Sequence, residues 1–261
     1  MSLLLSGDTF VAPGPGEFWQ PLIGGDTAAA FTRPSLLLII SVVFLGVVLA
    51  RTTRKLAVVP SRSQFLIEGC YNLVRNSIAR DVIGSHEFLQ FVPLLFTMFM
   101  LILTNNFFGN VVFLQFPTMS RLAFPLLLTV IVYLTYHIVG LRRKGFIGYF
   151  KSFVPSGLPI WLVPVMFLIE FMTYMITRPL TLALRLFGNM FAGHLLILVF
   201  VTAGEYLLLN THNVGLQFSG VLSFAFSILM SFFEILIQFL QAYIFTMLTA
   251  LYLAGAVADE H

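Results

Sequence analysis

The sequence predicts an all-α integral membrane protein, and three features of its composition and patterning support this prediction. Hydrophobic residues occupy 59% of the 261 positions, whereas charged residues occupy only 10%. Soluble domains carry about a quarter charged residues, so most of this chain requires lipid as its solvent. The apolar residues also come in runs long enough to cross a bilayer. Basic residues cluster at the ends of several of these runs.

The N-terminal part is predicted to contain one spanning helix between two polar regions. Residues 1–34 are rich in proline and glycine and precede any long apolar run, unlike a cleavable signal peptide, so we expect a retained, translocated tail. The first transmembrane helix is predicted over 35–50. Residues 51–87 mix apolar and charged positions, which is typical of a cytoplasmic or interfacial amphipathic helix. Four basic residues mark its cytoplasmic side: Arg51, Arg54, Lys55 and Arg62.

A transmembrane helical hairpin is predicted over 88–141, with spans at about 88–114 and 122–141. The first span contains the polar pair Asn105 and Asn106. The connection between the spans carries one basic residue, Arg121, whereas the cytoplasmic connection 142–158 carries four. These four are Arg142, Arg143, Lys144 and Lys151. The charge asymmetry predicts an N-terminus outside the membrane and a cytoplasmic C-terminus.

Residues 159–261 are predicted to form a pair of long tilted helices. Two apolar stretches, 159–207 and 214–257, are separated by a short polar linker. As continuous helix each would measure about 65–75 Å, against a bilayer core of about 30 Å. Each stretch is therefore either two short spans or one strongly tilted helix. The absence of a polar turn within 214–257 favours tilted helices, and the absence of an internal repeat counts against a secondary transporter.

Arg185 lies in the middle of the first long stretch, among leucine, alanine and phenylalanine. A guanidinium at the bilayer centre costs at least about 2.5–3.5 kcal/mol, and it cannot lose its proton. Intramembrane charges usually belong to an ion pathway or act as counter-ions. The purely structural alternative is an arginine that snorkels to the surface or pairs with a fixed internal acid.

Helical phase places polar groups on two sides of this stretch. At about 100° per residue, Arg178, Thr181, Arg185 and Asn189 share one stripe. Glu170 lies about 60° from that stripe by the same count. His194 points to nearly the opposite side. This arrangement suits a helix that borders two separate water-filled regions, since one polar stripe would suffice to line a simple pore.

The second long stretch carries one polar stripe on an otherwise apolar helix. Its members are Ser223, Ser227, Ser231, Glu234, Gln238 and Gln241. Small residues permit close helix approach. For the serines, close helix packing and contact with water are equally good interpretations. Close packing does not explain Glu234, which must be protonated or paired, and His194 is the natural partner. Glu205 lies near the outer end of the first stretch, where it would line an entrance.

The remaining residues indicate no bond-making chemistry and no nucleotide chemistry in this chain. Whether the chain counts as part of an enzyme depends on the complex to which it belongs. Four histidines lie at or near segment ends, where we expect solvated side chains: His86, His137, His212 and His261. The single cysteine, Cys70, excludes an internal disulfide. No metal-ligand set or glycine-rich phosphate loop occurs, and we predict no cofactor. A nucleic-acid partner would require a basic face on a soluble domain, which the sequence lacks.

Two motifs resemble subunit a of the membrane (Fo) sector of rotary F-type ATP synthases. They are RLFGNMFAGH at 185–194 and FLQAYIFTMLTALYL at 239–253, and the resemblance covers about 60–261. It implies that Arg185 is the essential charge of the stator and that Asn189 is a channel residue. His194 and Glu234 match an acid and a histidine of the proton uptake channel.

The resemblance also extends to less central positions. Gln241 matches the glutamine of the second motif, and Thr181 matches a polar position on the exit side. Glu170 resembles a family glutamate upstream of a proline, although its spacing to Pro179 differs slightly. Some relatives carry an acid in the second span where this chain has Gly109. Gln238, Ser231 and Glu205 join the predicted proton pathway from their positions on the two long helices.

The resemblance implies that this chain conducts protons through two offset half-channels to a rotating ring of c subunits. Each c subunit would bring one membrane carboxylate opposite Arg185. Other implied partners are b-type peripheral stalk subunits and the rest of the synthase, in a bacterial plasma membrane or, alternatively, a mitochondrial inner membrane. The competing hypothesis from the residues alone is an ion-coupled secondary transporter or antiporter subunit, which would function alone.

Overall fold

The chain folds almost entirely into helices, as predicted for an all-α integral membrane protein. The structure, a computed structural model, describes residues 10, 12–14, 16, 21–23, 31–54, 57–84, 87–110, 118–154 and 158–258. The one departure among these residues is a small antiparallel ribbon of β1 (Pro21–Ile23) and β2 (Phe31–Thr32). Most of the predicted tail 1–34, and residues 115–117 of the connection 115–121, lie outside the described residues.

Eight α-helices occur in the described part of the chain. They are α1 (Arg33–Thr53), α2 (Arg62–Asn72), α3 (Asp81–Ile83), α4 (Val92–Asn110), α5 (Ala123–Lys151), α6 (Val163–Met172), α7 (Arg178–Leu209) and α8 (Val214–Val257). A π-helical segment, Leu73–Arg80, joins α2 to α3, and 3₁₀ turns occupy Phe88–Gln90 and Thr118–Ser120. Five helical stretches are long and apolar enough to cross a membrane, with mean hydropathies from 1.6 to 2.3.

Each C-terminal apolar stretch is one uninterrupted helix rather than two short spans. Helices α6 and α7 are joined through a π-helical turn, Thr173–Thr177, into 47 continuous residues, and α8 has 44. The turn has a local cause, because Pro179 has no N–H and its ring crowds the carbonyl one turn earlier. The Arg178 N–H accordingly bonds the Thr173 carbonyl, five residues back. The widened turn absorbs the proline without ending the helix.

The range of α5 extends ten residues beyond the predicted end of the third span at 141, but its helical geometry is interrupted at Gly145, so that a second helical segment follows and ends at Lys151. Gly145 has φ 69° and ψ 171°, a backbone conformation that strongly favours glycine. Beyond the bend, Tyr149 packs against Gly140, where a Cβ would lie only 2.5 Å from the Tyr149 ring. The Tyr149 hydroxyl and His137 Nδ1 are 2.6 Å apart. The expectation that His137 is solvated was therefore wrong, because the folded-back end of α5 leaves it only 9% exposed.

The chain divides into two compact units. One comprises Val43–Ile102, Leu122–Leu186 and Gln241–His261. Within it, the segment predicted to be amphipathic buries Val74 and Ile78 completely on one side of the π-helical segment, while Arg80 and Asp81 remain exposed. This pattern gives that segment one apolar and one polar side.

The other unit comprises Met1–Val42, Leu103–Arg121 and Phe187–Leu240. Here α7 and α8 approach closely at two glycines. A Cβ on Gly220 would lie 3.1 Å from the Gly204 carbonyl oxygen, and one on Gly204 would lie 3.0 Å from the Phe224 ring. The Ser223 hydroxyl bonds the Phe200 carbonyl at 2.7 Å. Small residues thus permit the close approach of the two helix backbones.

Candidate functional site

The polar stripe of α8 is the buried face of that helix. Ser227, Glu234, Gln238 and Gln241 are each at most 6% exposed, whereas their neighbours Phe232, Phe233 and Leu236 are more than half exposed. Burial of polar rather than apolar side chains reverses the pattern of a soluble helix, as expected where lipid surrounds the apolar face. The stripe therefore places a carboxyl and two amides inside the chain, where each requires a partner.

His194 and Glu234 form the centre of the site. His194 Nδ1 on α7 and Glu234 Oε1 on α8 contact each other directly, and both side chains are largely buried. Gly193 makes the contact possible, because a Cβ there would lie 3.1 Å from Glu234 Oε1 and 3.3 Å from its Cδ. The structure thus brings together the two residues that the sequence suggested as partners, and a glycine makes room for the acid.

The neighbouring residues provide a hydrogen-bond partner for the histidine of this pair but not for one oxygen of the glutamate. His194 Nε2 donates to the Gly109 carbonyl at 3.3 Å. Within the described residues, Glu234 Oε2 is buried without a hydrogen-bond partner. A buried carboxylate oxygen of this kind requires a proton or water to compensate for its lost hydration. The direct contact places an imidazole nitrogen and a carboxyl oxygen within reach of a single shared proton.

Two asparagines of α4 bind Gln238, which is fully buried. Asn110 Nδ2 donates to Gln238 Oε1 at 2.7 Å, and Asn106 Nδ2 donates to the Gln238 backbone carbonyl at 3.2 Å. The sequence flagged Asn106 only as part of a polar pair and gave Asn110 no role. The available signal was spacing, since residues four apart lie on the same face of a helix. Together these bonds extend the polar site from α8 to α4.

A second buried network links α1 to α4 through Asn105. Asn105 Nδ2 donates to the Ser41 hydroxyl at 2.9 Å, and the Thr118 hydroxyl donates to Asn105 Oδ1 at 2.9 Å. Arg121 also bonds the Thr32 hydroxyl. All three contacts lie within one of the two units. Through Asn105 they connect α4 with Ser41 of α1 and with the turn at Thr118.

The stripe that contains Arg185 is the uncovered face of α7. Thr181, Arg185 and Asn189 are exposed, whereas Leu182 and Leu186 on the other side are at most 1% exposed. The Thr181 hydroxyl bonds backbone carbonyls of its own helix, those of Thr177 at 2.7 Å and Arg178 at 3.1 Å. In the part of the chain that the structure describes, the Arg185 guanidinium forms no hydrogen bond or ion pair. The alternative hypothesis, in which Arg185 pairs with a fixed internal acid, therefore finds no such acid among the described residues.

The other predicted site residues occupy varied positions. The half-buried Ser231 hydroxyl donates to the Ser227 carbonyl at 2.8 Å, an ordinary contact within α8. Glu170 on α6 and Glu205 on α7 are half-buried, and neither forms an ion pair with a described residue. Among the described residues, no three His, Cys, Asp or Glu side chains group to hold a metal ion.

A polytopic helical membrane protein with a buried His–Glu pair and an uncovered intramembrane arginine is the class that these observations define. The family described as ATP synthase A chain matches residues 35–254. A protein called ATP synthase subunit a from Nocardioides sp. is 46% identical over 268 residues, covering 98% of this chain and 96% of the relative. The chain belongs to the ATP synthase A chain family.

Other relatives with the same name come from further actinobacteria. The protein from Pseudarthrobacter chlorophenolicus is 40% identical over 255 residues, covering 97% of this chain and 95% of the relative. The protein from Streptomyces lividans is 38% identical over 262 residues, covering 99% of this chain and 92% of the relative. The likeness therefore extends over essentially the whole chain.

Proposed function

We propose that this chain is the proton-conducting stator subunit of an F-type ATP synthase. The observation that carries the proposal is Arg185, an exposed and permanently charged side chain in the middle of an apolar helix. Lipid alone is a poor neighbour for such a group, and none of the described residues pairs with it. A membrane carboxylate on a ring of c subunits, moving past α7, would supply the missing counter-charge.

The fixed charge of Arg185 favours the release of a proton from that moving acid. A guanidinium beside a carboxyl favours its ionised form and so lowers its pKa. A ring carboxyl that reaches Arg185 therefore releases its proton on the exit side. The same positive charge opposes the direct passage of a proton past Arg185 without rotation. Coupling between proton flow and rotation follows from these two effects.

The His194–Glu234 pair serves as the loading station on the uptake side. It lies on the face of α7 that is remote from Arg185 by helical phase, so loading and release use different sides of one helix. Gln238, Gln241 and Ser231 continue the polar stripe of α8 beside the pair. Asn189 and Thr181 line the path near Arg185, Glu205 lies toward the outer opening, and Glu170 lies toward the cytoplasmic end.

The chain is a membrane protein, and we place it in a bacterial plasma membrane as part of the whole F-type complex. The N-terminus faces outward and the C-terminus faces the cytoplasm, because the basic residues after α1 and along the second half of α5 mark the cytoplasmic side. A b-type peripheral stalk would hold the chain against the torque of the ring. The competing reading as a transporter that functions alone receives no support from the family match.

The deciding experiment compares Arg185→Ala with Arg142→Ala in the purified synthase reconstituted into liposomes. Arg142 is an exposed arginine on α5 outside the proposed path. We expect Arg185→Ala to assemble but to lose proton-driven ATP synthesis by at least about a hundredfold, since a stator charge without substitute is removed. Arg142→Ala should retain it. Substantial synthesis by an assembled Arg185→Ala complex would refute the proposal.

A second comparison tests the loading station. Exchanging the two residues, with Glu at 194 and His at 234, preserves an acid–imidazole pair in the same place. We expect the exchanged enzyme to synthesise ATP faster than His194→Ala or Glu234→Ala. Equal loss in all three variants would show that the residues do not act as a pair.

A further inference from the structure

A cavity at the C-terminal end of α8 contains a guanidinium that the proton path does not use. The cavity has a volume of about 480 Å³ and is lined by Tyr174, Arg178, Leu251, Tyr252, Ala254, Gly255 and Ala258. All of these residues belong to one compact unit. Apart from Arg178 the lining carries no charge, so one cation determines the electrostatic character of the cavity.

Arg178 is held by aromatic rings rather than by an acid. Its Cζ lies 3.4 Å from the centroid of the Tyr174 ring and 5.0 Å from that of Tyr252. Stacking engages the flat face of the guanidinium and leaves the N–H groups at its edge. Within the described residues these N–H groups form no hydrogen bond or ion pair. The arginine is thus fixed in place with its donors available to an anion.

The position of the cavity along the chain indicates which side of the membrane it faces. Lys144 Nζ donates to the Gly255 carbonyl, which belongs to the cavity lining, at 3.4 Å. Lys144 is part of the basic cluster of α5 that marks the cytoplasmic side. The neighbouring Arg143 is neutralised by an ion pair with Glu87, whereas Lys144 pairs with no acid in the described part. A second positive charge therefore stands at the rim, at the level of lipid headgroups.

We propose that this cavity binds the phosphate group of an anionic phospholipid on the cytoplasmic side. A planar guanidinium matches two phosphate oxygens, and basic pockets between helices on the cytoplasmic side are typical headgroup sites. The apolar walls formed by Leu251, Ala254 and Ala258 suit the adjoining glycerol and acyl carbons. Gly255 keeps the mouth open, since the nearest atom to a Cβ there would be the Tyr174 hydroxyl at 3.9 Å.

The test uses the purified, delipidated synthase and measures retained lipid by native mass spectrometry. The probes are phosphatidylglycerol and phosphatidylcholine with identical acyl chains. We expect wild type to retain phosphatidylglycerol preferentially, and Arg178→Gln to bind it about tenfold more weakly, as a lost charge-assisted bond implies. Arg178→Lys should retain part of the affinity. Arg142→Gln, which removes a cation from the same side outside the cavity, should leave it unchanged.

A second variant, Gly255→Leu, closes the mouth of the cavity while keeping Arg178, and it should also lose phosphatidylglycerol. This variant decides the matter if Arg178→Gln fails to assemble. Unchanged binding in either assembled variant, or equal retention of the two lipids by wild type, would overturn the proposal. Displacement of the lipid by millimolar inorganic phosphate would reassign the cavity to a soluble anion. Arg185→Ala should retain the lipid while losing ATP synthesis, so the outcome is separate from that of the stator proposal.

Discussion

Replacing Gly193 by alanine tests the packing on which the His194–Glu234 contact depends. The new methyl carbon would lie 3.1 Å from Glu234 Oε1 and 3.3 Å from Cδ, both closer than the ordinary contact range of 3.4–4 Å. The carboxyl must therefore withdraw by about 0.3 Å or more, and it has little room because Glu234 is 4% exposed. Alanine also raises helix propensity by about 1 kcal/mol, which offsets much of the strain in stability.

The expected result is a loss of function without a loss of assembly. Displacements of about 1 Å cost reacting groups roughly a hundredfold in rate, so a few tenths of an ångström should slow ATP synthesis about fivefold. The assay is the initial rate of synthesis by reconstituted complexes under an imposed pH gradient, normalised to assembled complex. Gly46→Ala provides the control, because nothing lies within 4 Å of a Cβ there and only helix propensity changes.

A double variant separates steric displacement from other causes. Glu234→Asp shortens the acid by one methylene, about 1.5 Å, and so removes the atoms that the methyl group meets. Gly193→Ala should then add nothing to the loss caused by Glu234→Asp alone, since neighbouring changes that share one cause are not additive. Fully additive losses, or a Gly193→Ala enzyme as fast as wild type, would refute the packing argument.

Three further predictions concern other parts of the chain. Gly140→Ala should destabilise the fold by about 1–3 kcal/mol through overpacking, because its Cβ would meet the Tyr149 ring at 2.5 Å, and thermal unfolding measures this. Asn110→Leu should cost about 1–3 kcal/mol by leaving a buried Gln238 oxygen unpaired, and Gln238→Leu in the same chain should restore much of the stability. Burial raises the pKa of the Cys70 thiol, so maleimide should label it with a midpoint at higher pH than a free thiol.

Each of these predictions has a matched comparison. Gly148→Ala should be mild, because its Cβ would meet only the Lys144 Cβ at an ordinary 3.5 Å. For the amide pair, a double variant as unstable as Asn110→Leu alone would contradict the hydrogen bond. For Cys70, urea unfolding should return the labelling midpoint to that of a free thiol. An identical midpoint in the folded and unfolded chains would show that burial has no effect on the thiol.

The spanning helices and the polar stripe of α8 followed from the sequence, because hydropathy and helical spacing are local properties. Glu234 and His194 were predictable partners for a related reason. A buried acid must be compensated, and few side chains within the long helices were able to do so. In each case the residue type itself carried the information.

The parts that sequence reasoning missed depend on backbone groups and on chain reversal. The Gly109 carbonyl that accepts from His194 is a backbone group, which every residue type carries, so the sequence gives no signal for it. His137 is buried because the chain bends at Gly145, and the basic residues around that bend suggested the end of a helix. The first helical segment of α5 does end at Gly145, and the sequence carries no local signal that a second segment follows it to Lys151.

The partner of His194 Nε2 has a consequence for how the imidazole handles protons. A carbonyl oxygen only accepts, so the Nε2 hydrogen stays in place whether the ring is neutral or cationic. Only Nδ1, which faces Glu234, is then left to gain and lose a proton. The imidazole is then unable to accept a proton at one ring nitrogen and release one from the other. In the proposed proton path, a proton would therefore reach and leave His194 by the same edge of the ring, the edge that faces Glu234.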